Sequence, residues 1–125
     1  LEPGAEPVIS DEVTVRTAAP QPARDSVTLA GSLQDELGCP GDWQPDCAAT
    51  HLAFDATDGR WHATFTLPEG SYEWKVAVDD SWDENYGAGG AAGGDNLVLD
   101  VPAGGAAYTF TWDQVTHVPS VSPAQ

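Results

Sequence analysis

Positive charge is the scarcest property of this chain of 125 residues, which has four Lys and Arg residues against 20 Asp and Glu residues. The formal net charge is -16 at pH 7. Such a field repels the phosphate groups of nucleic acids and anionic lipids. The sequence therefore predicts neither a nucleic-acid partner nor a membrane surface as partner.

Long hydrophobic runs are also missing, since no apolar stretch approaches the roughly 18 residues that a membrane-spanning helix needs. The chain is nevertheless rich in core-forming residues, because 41% of it is hydrophobic and five residues are Trp. That content is too high for an acidic disordered protein. A length of 125 residues suits one folded domain, which we expect to be a monomer.

Cysteine is rare, with Cys39 and Cys47 in the stretch GCPGDWQPDC. No neighbouring His or Cys completes a zinc site, so the two thiols either form a local disulfide or remain free. The disulfide is the favoured interpretation, and it predicts an oxidising, extracellular location. It would also hold Trp43 at the tip of a closed loop.

Amphipathic helical patterns are not found, and the centre of the chain shows the period-2 alternation of β-strands. The alternating stretches are DSVTLAG, RWHATFTL, SYEWKVAV, NLVLDV and AYTFTWDQV, with THLAF as a further short strand. Turn sequences such as DATDG, LPEGS and VPAGG separate them. The regular short spacing predicts an all-β fold, an antiparallel β-sandwich.

The two ends of the chain differ from its centre in composition. Residues 1–24 contain four prolines among Ala, Glu and Thr, which favours a linker or a loosely attached arm. Residues 116–125, THVPSVSPAQ, have the same character. We therefore expect a folded module over 25–115, flanked by an N-terminal and a C-terminal linker and belonging to a longer protein.

Strand parity predicts the position of three of the five tryptophans. Trp61, Trp74 and Trp112 alternate in phase with other apolar residues, so we expect them in the core. Trp43 and Trp82 have no such phase, because they lie in polar loops. Each is either a plug at an end of the sandwich or an exposed platform for a ligand.

Lys75 is the only lysine, and by parity it projects from the face opposite Trp74. It is either a solvated surface charge or a hydrogen-bond donor beside the two unassigned indoles. The flat C–H face of a glucose ring stacks on an indole, and ammonium or amide groups then orient the hydroxyls of the sugar. A binding site for a neutral sugar needs this combination of indole faces and a hydrogen-bond donor.

The segments VTLAGSLQDELGCPGDW, LPEGSYEWKVAVDDSW, ENYGAGG and GGDNLVLDV resemble the pullulanase-associated starch-binding modules that accompany α-amylase-family catalytic domains in secreted bacterial enzymes. The resemblance covers about residues 25–115, and a more distant similarity is to glycogen-binding domains. It implies an immunoglobulin-like β-sandwich that binds α-glucans such as starch, maltooligosaccharides and pullulan without cleaving them. The module would target an attached amylase or pullulanase, a glycoside hydrolase, to the polysaccharide.

The family pattern also implies roles for particular residues. Carried onto this sequence, it makes Trp43 and Trp82 the stacking platforms, and Lys75 and Asn96 the hydrogen-bonding pair. The residues that follow Trp82 either add contacts to the ligand or shape the loop: Asp83, Glu84, Asn85 and Tyr86. The implied partners are an α-glucan and the catalytic domain of the same parent protein.

Other functions have less support in the sequence. The carboxylates around Trp82 lie in a polar turn rather than across a cleft, and no nucleophile motif is present, so we predict no catalytic residue and no cofactor. The same turn fails the EF-hand spacing, which leaves a looser calcium site as an alternative to the expected absence of metal. The main alternative function is a non-binding immunoglobulin-like spacer or docking module, which would bury Trp43 and Trp82.

Overall fold

The computed structural model describes residues 21–124 and consists of two antiparallel β-sheets that pack face to face. The predicted all-β class and immunoglobulin-like sandwich are confirmed. The predicted linker or arm at 1–24 falls mostly on residues 1–20, which lie outside the described part of the chain.

Short strands joined by turns make up most of the described chain. In order, the strands are β1 (Val27–Gly31), β2 (Ala53–Asp55), β3 (Arg60–Leu67), β4 (Gly70–Val78), β5 (Glu84–Tyr86), β6 (Leu97–Val101), β7 (Ala106–Asp113) and β8 (Pro119–Pro123). Brief 3-10 helices occur in the connections, at Gln34–Leu37, Ala48–Thr50 and Ala88–Gly90. Within 21–124, none of the helices has the length and apolar character to cross a membrane.

Strand β4 is the centre of the first sheet. It pairs with β1 along one side, and along the other side with β6 and then β5. The second sheet has the order β2-β3-β7-β8, and its central pair, β3 with β7, is in register from Arg60 opposite Asp113 to Leu67 opposite Ala106. Every one of these pairings is antiparallel, as the hairpin-like turn sequences predict.

The core between the sheets follows from the alternation of apolar residues along the strands. Trp74 of β4 and Phe110 of β7 are fully buried, and their rings meet edge to face with centroids 5.1 Å apart. Trp61 and Trp112 belong to the same buried cluster. The prediction that these three tryptophans lie in the core is therefore confirmed.

The carboxyl-terminal tail differs from its prediction as a linker over 116–125. Strand β8 pairs with β7 from Pro119 opposite Trp112 to Pro123 opposite Tyr108, so residues 119–123 complete the second sheet. Proline is tolerated in an edge strand, where a missing N–H need not break a ladder hydrogen bond. Proline content was therefore a poor guide to the end of the folded module.

The segment 21–24 is likewise attached to the sandwich. The N–H of Ala23 donates to Oε1 of Gln114 at 2.8 Å, and Nε2 of Gln114 donates to the carbonyl of Gln21 at 2.7 Å. Arg24 donates to both carboxylate oxygens of Glu84, with Nη2 2.6 Å from Oε2. The last residues of the predicted arm thus have defined contacts with the domain.

The contact between Arg24 and Glu84 continues into the core through Tyr86. The hydroxyl of Tyr86 donates to Oε2 of Glu84 at 2.6 Å, and its ring stacks on those of Trp112 and His117. The hydrogen bond from Arg24 lowers the pKa of Glu84, and the hydrogen bond to Glu84 raises the pKa of Tyr86. Glu84 is therefore held as a carboxylate, whatever part it has in binding a ligand.

Replacing this carboxylate should change the stability in a pH-dependent manner. Because the folded-state pKa of Glu84 lies below its ordinary value of about 4.3, its stabilising effect is complete above that pH and is lost as the pH falls through the folded-state pKa. We expect Glu84→Gln to lower the melting temperature by a few degrees at neutral pH and to make no difference in strong acid. Thermal unfolding from neutral pH to about pH 2 measures this.

The exposed Glu69 offers the matched control, because Glu69→Gln removes one negative charge from a turn without removing an ion pair among the described residues. Its melting temperature should follow that of the unaltered protein at every pH. A loss in Glu84→Gln that stays constant down to strong acid would contradict the ion-pair explanation.

Candidate functional site

The turn after β4 prepares the position of Trp82. Asp79 and Asp80 each have a φ of 56°, as hairpin turns of type I′ require, and Ser81 returns opposite Val78. Aspartate tolerates this left-handed conformation better than most residues. Turn geometry therefore explains the acidic pair that precedes Trp82.

A bulge then carries Trp82 away from the strand. The next pair of residues in the hairpin is Ala77 with Asn85, so residues 82–84 are paired with no residue of β4. Nδ2 of Asn85 donates to the carbonyl of Trp82 at 2.8 Å and fixes the bulge. Trp82 has 37% of its surface exposed, in contrast to the buried tryptophans of the core.

Trp43 lies at the opposite margin of the same sheet, beside β1. Its N–H donates to the carbonyl of Gly31 at 3.2 Å. A Cβ on Gly31 would lie 2.2 Å from the carbonyl oxygen of Glu73, so only glycine fits at this end of β1. Trp43 has a φ of 58°, a left-handed conformation that a bulky residue adopts only where its surroundings impose it.

The predicted disulfide closes the loop that carries Trp43. Cys39 and Cys47 are bonded, with their Cα atoms 6.0 Å apart, so the alternative of two free thiols is wrong. A surface cavity of about 510 Å³ lies beside the bridge and is lined by Pro40, Trp43, Gln44, Pro45, Asp46, Cys47 and Ala48. Its volume is within the range of small-molecule sites, about 300–1,000 Å³.

Lys75 and Asn96 occupy the side of the first sheet that faces away from the core. Lys75 lies opposite Ala30, and Nδ2 of Asn96 donates at 2.9 Å to Glu73, which parity places on the same side. The ammonium group of Lys75 has neither a hydrogen bond nor an ion pair with any of residues 21–124. The only lysine thus keeps its donors free in a chain of net charge -16.

The strand order relates the half-buried Trp43 and the exposed Trp82 to Lys75. The backbone of Trp43, then β1, then β4 with Lys75, then the bulge of Trp82 follow one another across the sheet. Three strand spacings, about 14 Å, separate the two tryptophan backbones across the sheet. Trp82 is also displaced along the strands, because it follows the Val78–Ser81 pair whereas Trp43 lies at the level of Gly31. The small residues on this side, Thr28, Ala30 and Ala77, are fully buried and are therefore not accessible to a ligand.

The four further candidates in the acidic turn have different surroundings. Tyr86 is 7% exposed and stacked in the core, so the structure does not support its contact with a ligand. Glu84 is paired with Arg24, and the amide of Asn85 holds the bulge. Asp83 is exposed and is the member of this set that stays a candidate.

One potential cation site lies elsewhere, at the turn between β2 and β3. The ligand atoms of Asp55, Asp58 and His62 lie within 4.8 Å of one another. These groups already have partners, since Nε2 of His62 is 2.7 Å from Asp58 and Asp55 accepts a hydrogen bond from the N–H of Thr57. We assign no metal to them, and the turn at 79–85 contributes no comparable group among the described residues.

Comparison with known proteins extends the resemblance seen in the sequence. Amylopullulanases from Thermoanaerobacterium thermosulfurigenes and Thermoanaerobacterium saccharolyticum are 36% and 37% identical to this chain over 89 residues. The matches cover 71% of this chain. The chain spans only 5% and 7% of the lengths of those relatives, so it is similar to a small part of each.

A solved structure and a family model match a larger share of the chain. The pullulanase from Bacillus acidopullulyticus superposes with a TM-score of 0.70 and 33% sequence identity, over 84% of this chain and 12% of its own. A family model described as the pullulanase X25 domain matches residues 26–119. The predicted relation to pullulanase-associated modules is thereby confirmed, and the chain belongs to the pullulanase X25 domain family.

Proposed function

We propose that this domain is a non-catalytic module that binds α-glucans and brings an attached amylase- or pullulanase-type catalytic domain to them. The observation that carries the proposal is the exposed indole of Trp82, in the turn that follows β4, together with Lys75 of β4, whose side chain has no partner among the described residues. Neither feature contributes to the core. Both supply what a sugar ring requires, a flat apolar surface and a free donor.

The two tryptophans would act as stacking platforms for glucose rings. The C–H groups on one face of the ring form a slightly positive apolar patch, which is attracted to the negative face of an indole. Trp82 is set on a bulge, and Trp43 lines a surface cavity in the disulfide-closed loop. An oligosaccharide suits the pair, because their backbones are at least about 14 Å apart, more than one stacked ring covers.

Lys75 and Asn96 would supply the orienting hydrogen bonds. The ammonium group of Lys75 can donate to sugar hydroxyls, while the side-chain oxygen of Asn96 can accept from them and its second N–H, the one not bonded to Glu73, can donate to them. Each such bond replaces a bond to water and contributes little net affinity. We therefore expect the indoles to supply most of the affinity and the polar pair to supply orientation.

The module would help an attached enzyme by raising the local substrate concentration, without taking part in the catalysed reaction. A module that holds its polypeptide on the polysaccharide raises the local substrate concentration around the catalytic domain. The length of the amylopullulanase relatives, of which this chain covers 5% and 7%, supports a catalytic partner in the same parent protein. The Cys39–Cys47 disulfide supports an extracellular site of action.

Calorimetric titration of the domain tests the proposal. We expect heat of binding with maltoheptaose and with a pullulan fragment, weaker binding with maltose, and none with cellohexaose, whose β-linked chain is flat. Absence of heat with all four sugars, from a sample shown to be folded by circular dichroism, would contradict binding. That outcome would favour the spacer or docking module.

A further inference from the structure

Gln34 is an unusual residue for its position, because it is polar and fully buried. It lies in the 3-10 helix Gln34–Leu37, within the connection that leads from β1 to the loop of Trp43. A buried amide is costly unless its donors and acceptors are satisfied. Its partners therefore indicate what the residue holds in place.

The amide of Gln34 is fully committed to the backbone around Trp43. Its Oε1 accepts from the N–H of Gly31 at 3.2 Å and from the N–H of Gln44 at 2.7 Å. Its Nε2 donates to the carbonyl of Gln44 at 2.7 Å and to the hydroxyl of Thr50 at 3.1 Å. Both backbone groups of Gln44, the residue directly after Trp43, are thus paired with one side chain.

Trp43 is held from its other side as well. Its own N–H is bonded to the carbonyl of Gly31, and the carboxylate of the preceding Asp42 accepts from the N–H of Asp35. The left-handed φ of 58° at Trp43 is therefore fixed between two anchored neighbours. Without these anchors, the loop would lose the constraint that fixes the direction of the indole.

We infer that Gln34 is a positioning residue for glucan binding: its buried amide clamps the backbone beside Trp43 and thereby fixes the indole as a preformed platform. This inference rests on the proposed function. The chemistry requires an amide, because a carboxylate lacks the two donors and an aliphatic side chain lacks every hydrogen-bonding group. A preformed platform binds more tightly than a mobile one, since less conformational freedom is lost on binding.

Gln34→Met tests the clamp, because methionine has a similar shape and no amide. We expect the affinity for maltoheptaose, measured by titration calorimetry, to fall about three- to tenfold. In a Trp43→Ala background, the same substitution should change the affinity by less than about twofold, because the residue acts through Trp43. Equal losses in both backgrounds, or no loss in either, would overturn the inference.

Leu99→Ala is the control for a merely structural effect. Leu99 is a core residue of β6, remote in sequence from the Trp43 loop, and its truncation should lower the melting temperature without changing the affinity of the folded protein. If Leu99→Ala weakens binding as much as Gln34→Met, lost stability explains both results. The positioning role would then be abandoned.

Hydrogen exchange in the unaltered domain keeps the inference testable if Gln34→Met does not fold. The N–H of Gln44 should exchange as slowly as those of β1, although Gln44 lies in a loop, whereas the exposed Asp46 should exchange fast. Fast exchange at Gln44 would overturn the clamp. If the N–H of Gln44 exchanges slowly but the domain binds no glucan, the hydrogen bonds of Gln34 are a structural feature only. That result would refute the role of Gln34 in binding.

Discussion

Trp82→Ala is expected to weaken the binding of maltoheptaose at least about tenfold and to leave the fold intact. The indole lies on the bulge 82–84, outside the β4 register, so its removal deletes apolar stacking surface and no core contact of β4. Titration calorimetry gives the loss of affinity, and circular dichroism with thermal unfolding gives the state of the fold. Trp43→Ala should have the same effect on affinity.

Val115→Ala is the matched control for Trp82→Ala. Val115 is an exposed apolar residue, 80% accessible, in the connection between β7 and β8 of the second sheet. Its truncation removes apolar surface from the second sheet, whereas the proposed platforms flank the first sheet. The affinity for maltoheptaose should therefore not change. Unfolding of Trp82→Ala would show that the indole is a structural plug, while full affinity in a folded Trp82→Ala would refute the platform.

Trp74→Ala should have the opposite pattern, with a large loss of stability. Trp74 is fully buried and meets Phe110 across the core, so its truncation leaves a cavity that the two sheets cannot close. We expect the free energy of unfolding to fall by about 3–5 kcal/mol, a large part of the 5–15 kcal/mol typical of a small domain. Denaturant unfolding followed by fluorescence measures the loss.

Trp74→Phe separates packing from hydrogen bonding in this experiment. Nε1 of Trp74 has no partner among the described residues, so the substitution removes no hydrogen bond and retains a ring against Phe110. The loss should therefore be much smaller than for Trp74→Ala. Equal losses for the two variants would contradict the view that buried aromatic volume is what Trp74 contributes.

Parity was sufficient to assign the tryptophans that lie in long strands. Trp61, Trp74 and Trp112 alternate with other buried residues, and their burial follows from the pleat of the strand. Parity has no meaning for Trp43 and Trp82, because one lies in a disulfide-closed loop and the other on a bulge. Only the pairing of Ala77 with Asn85 reveals that bulge, and the register of a pairing cannot be seen in the alternation of a single strand.

Short strands and buried polar residues leave little signal in the sequence. Strand β5 has three residues, too few to show alternation, so the burial of Tyr86 was not foreseen. A lone glutamine in a polar stretch carries no local signal, and the four hydrogen bonds of the Gln34 side chain reach residues up to 16 positions away. The proline content of residues 116–125 predicts a linker, although two of these prolines fit the edge strand β8.

The position of those prolines bears on how the domain meets other chains. On either side of β8, the carbonyl of Val118 accepts a hydrogen bond from β7 and the N–H of Ala124 donates one to β7. The backbone groups of the even-numbered residues therefore face β7, and those of the odd-numbered residues face outward. Of the outward positions 119, 121 and 123, two are proline and have no N–H. Val121 is therefore the one outward backbone donor of the strand, and an incoming β-strand would find too few hydrogen bonds to add itself to this edge.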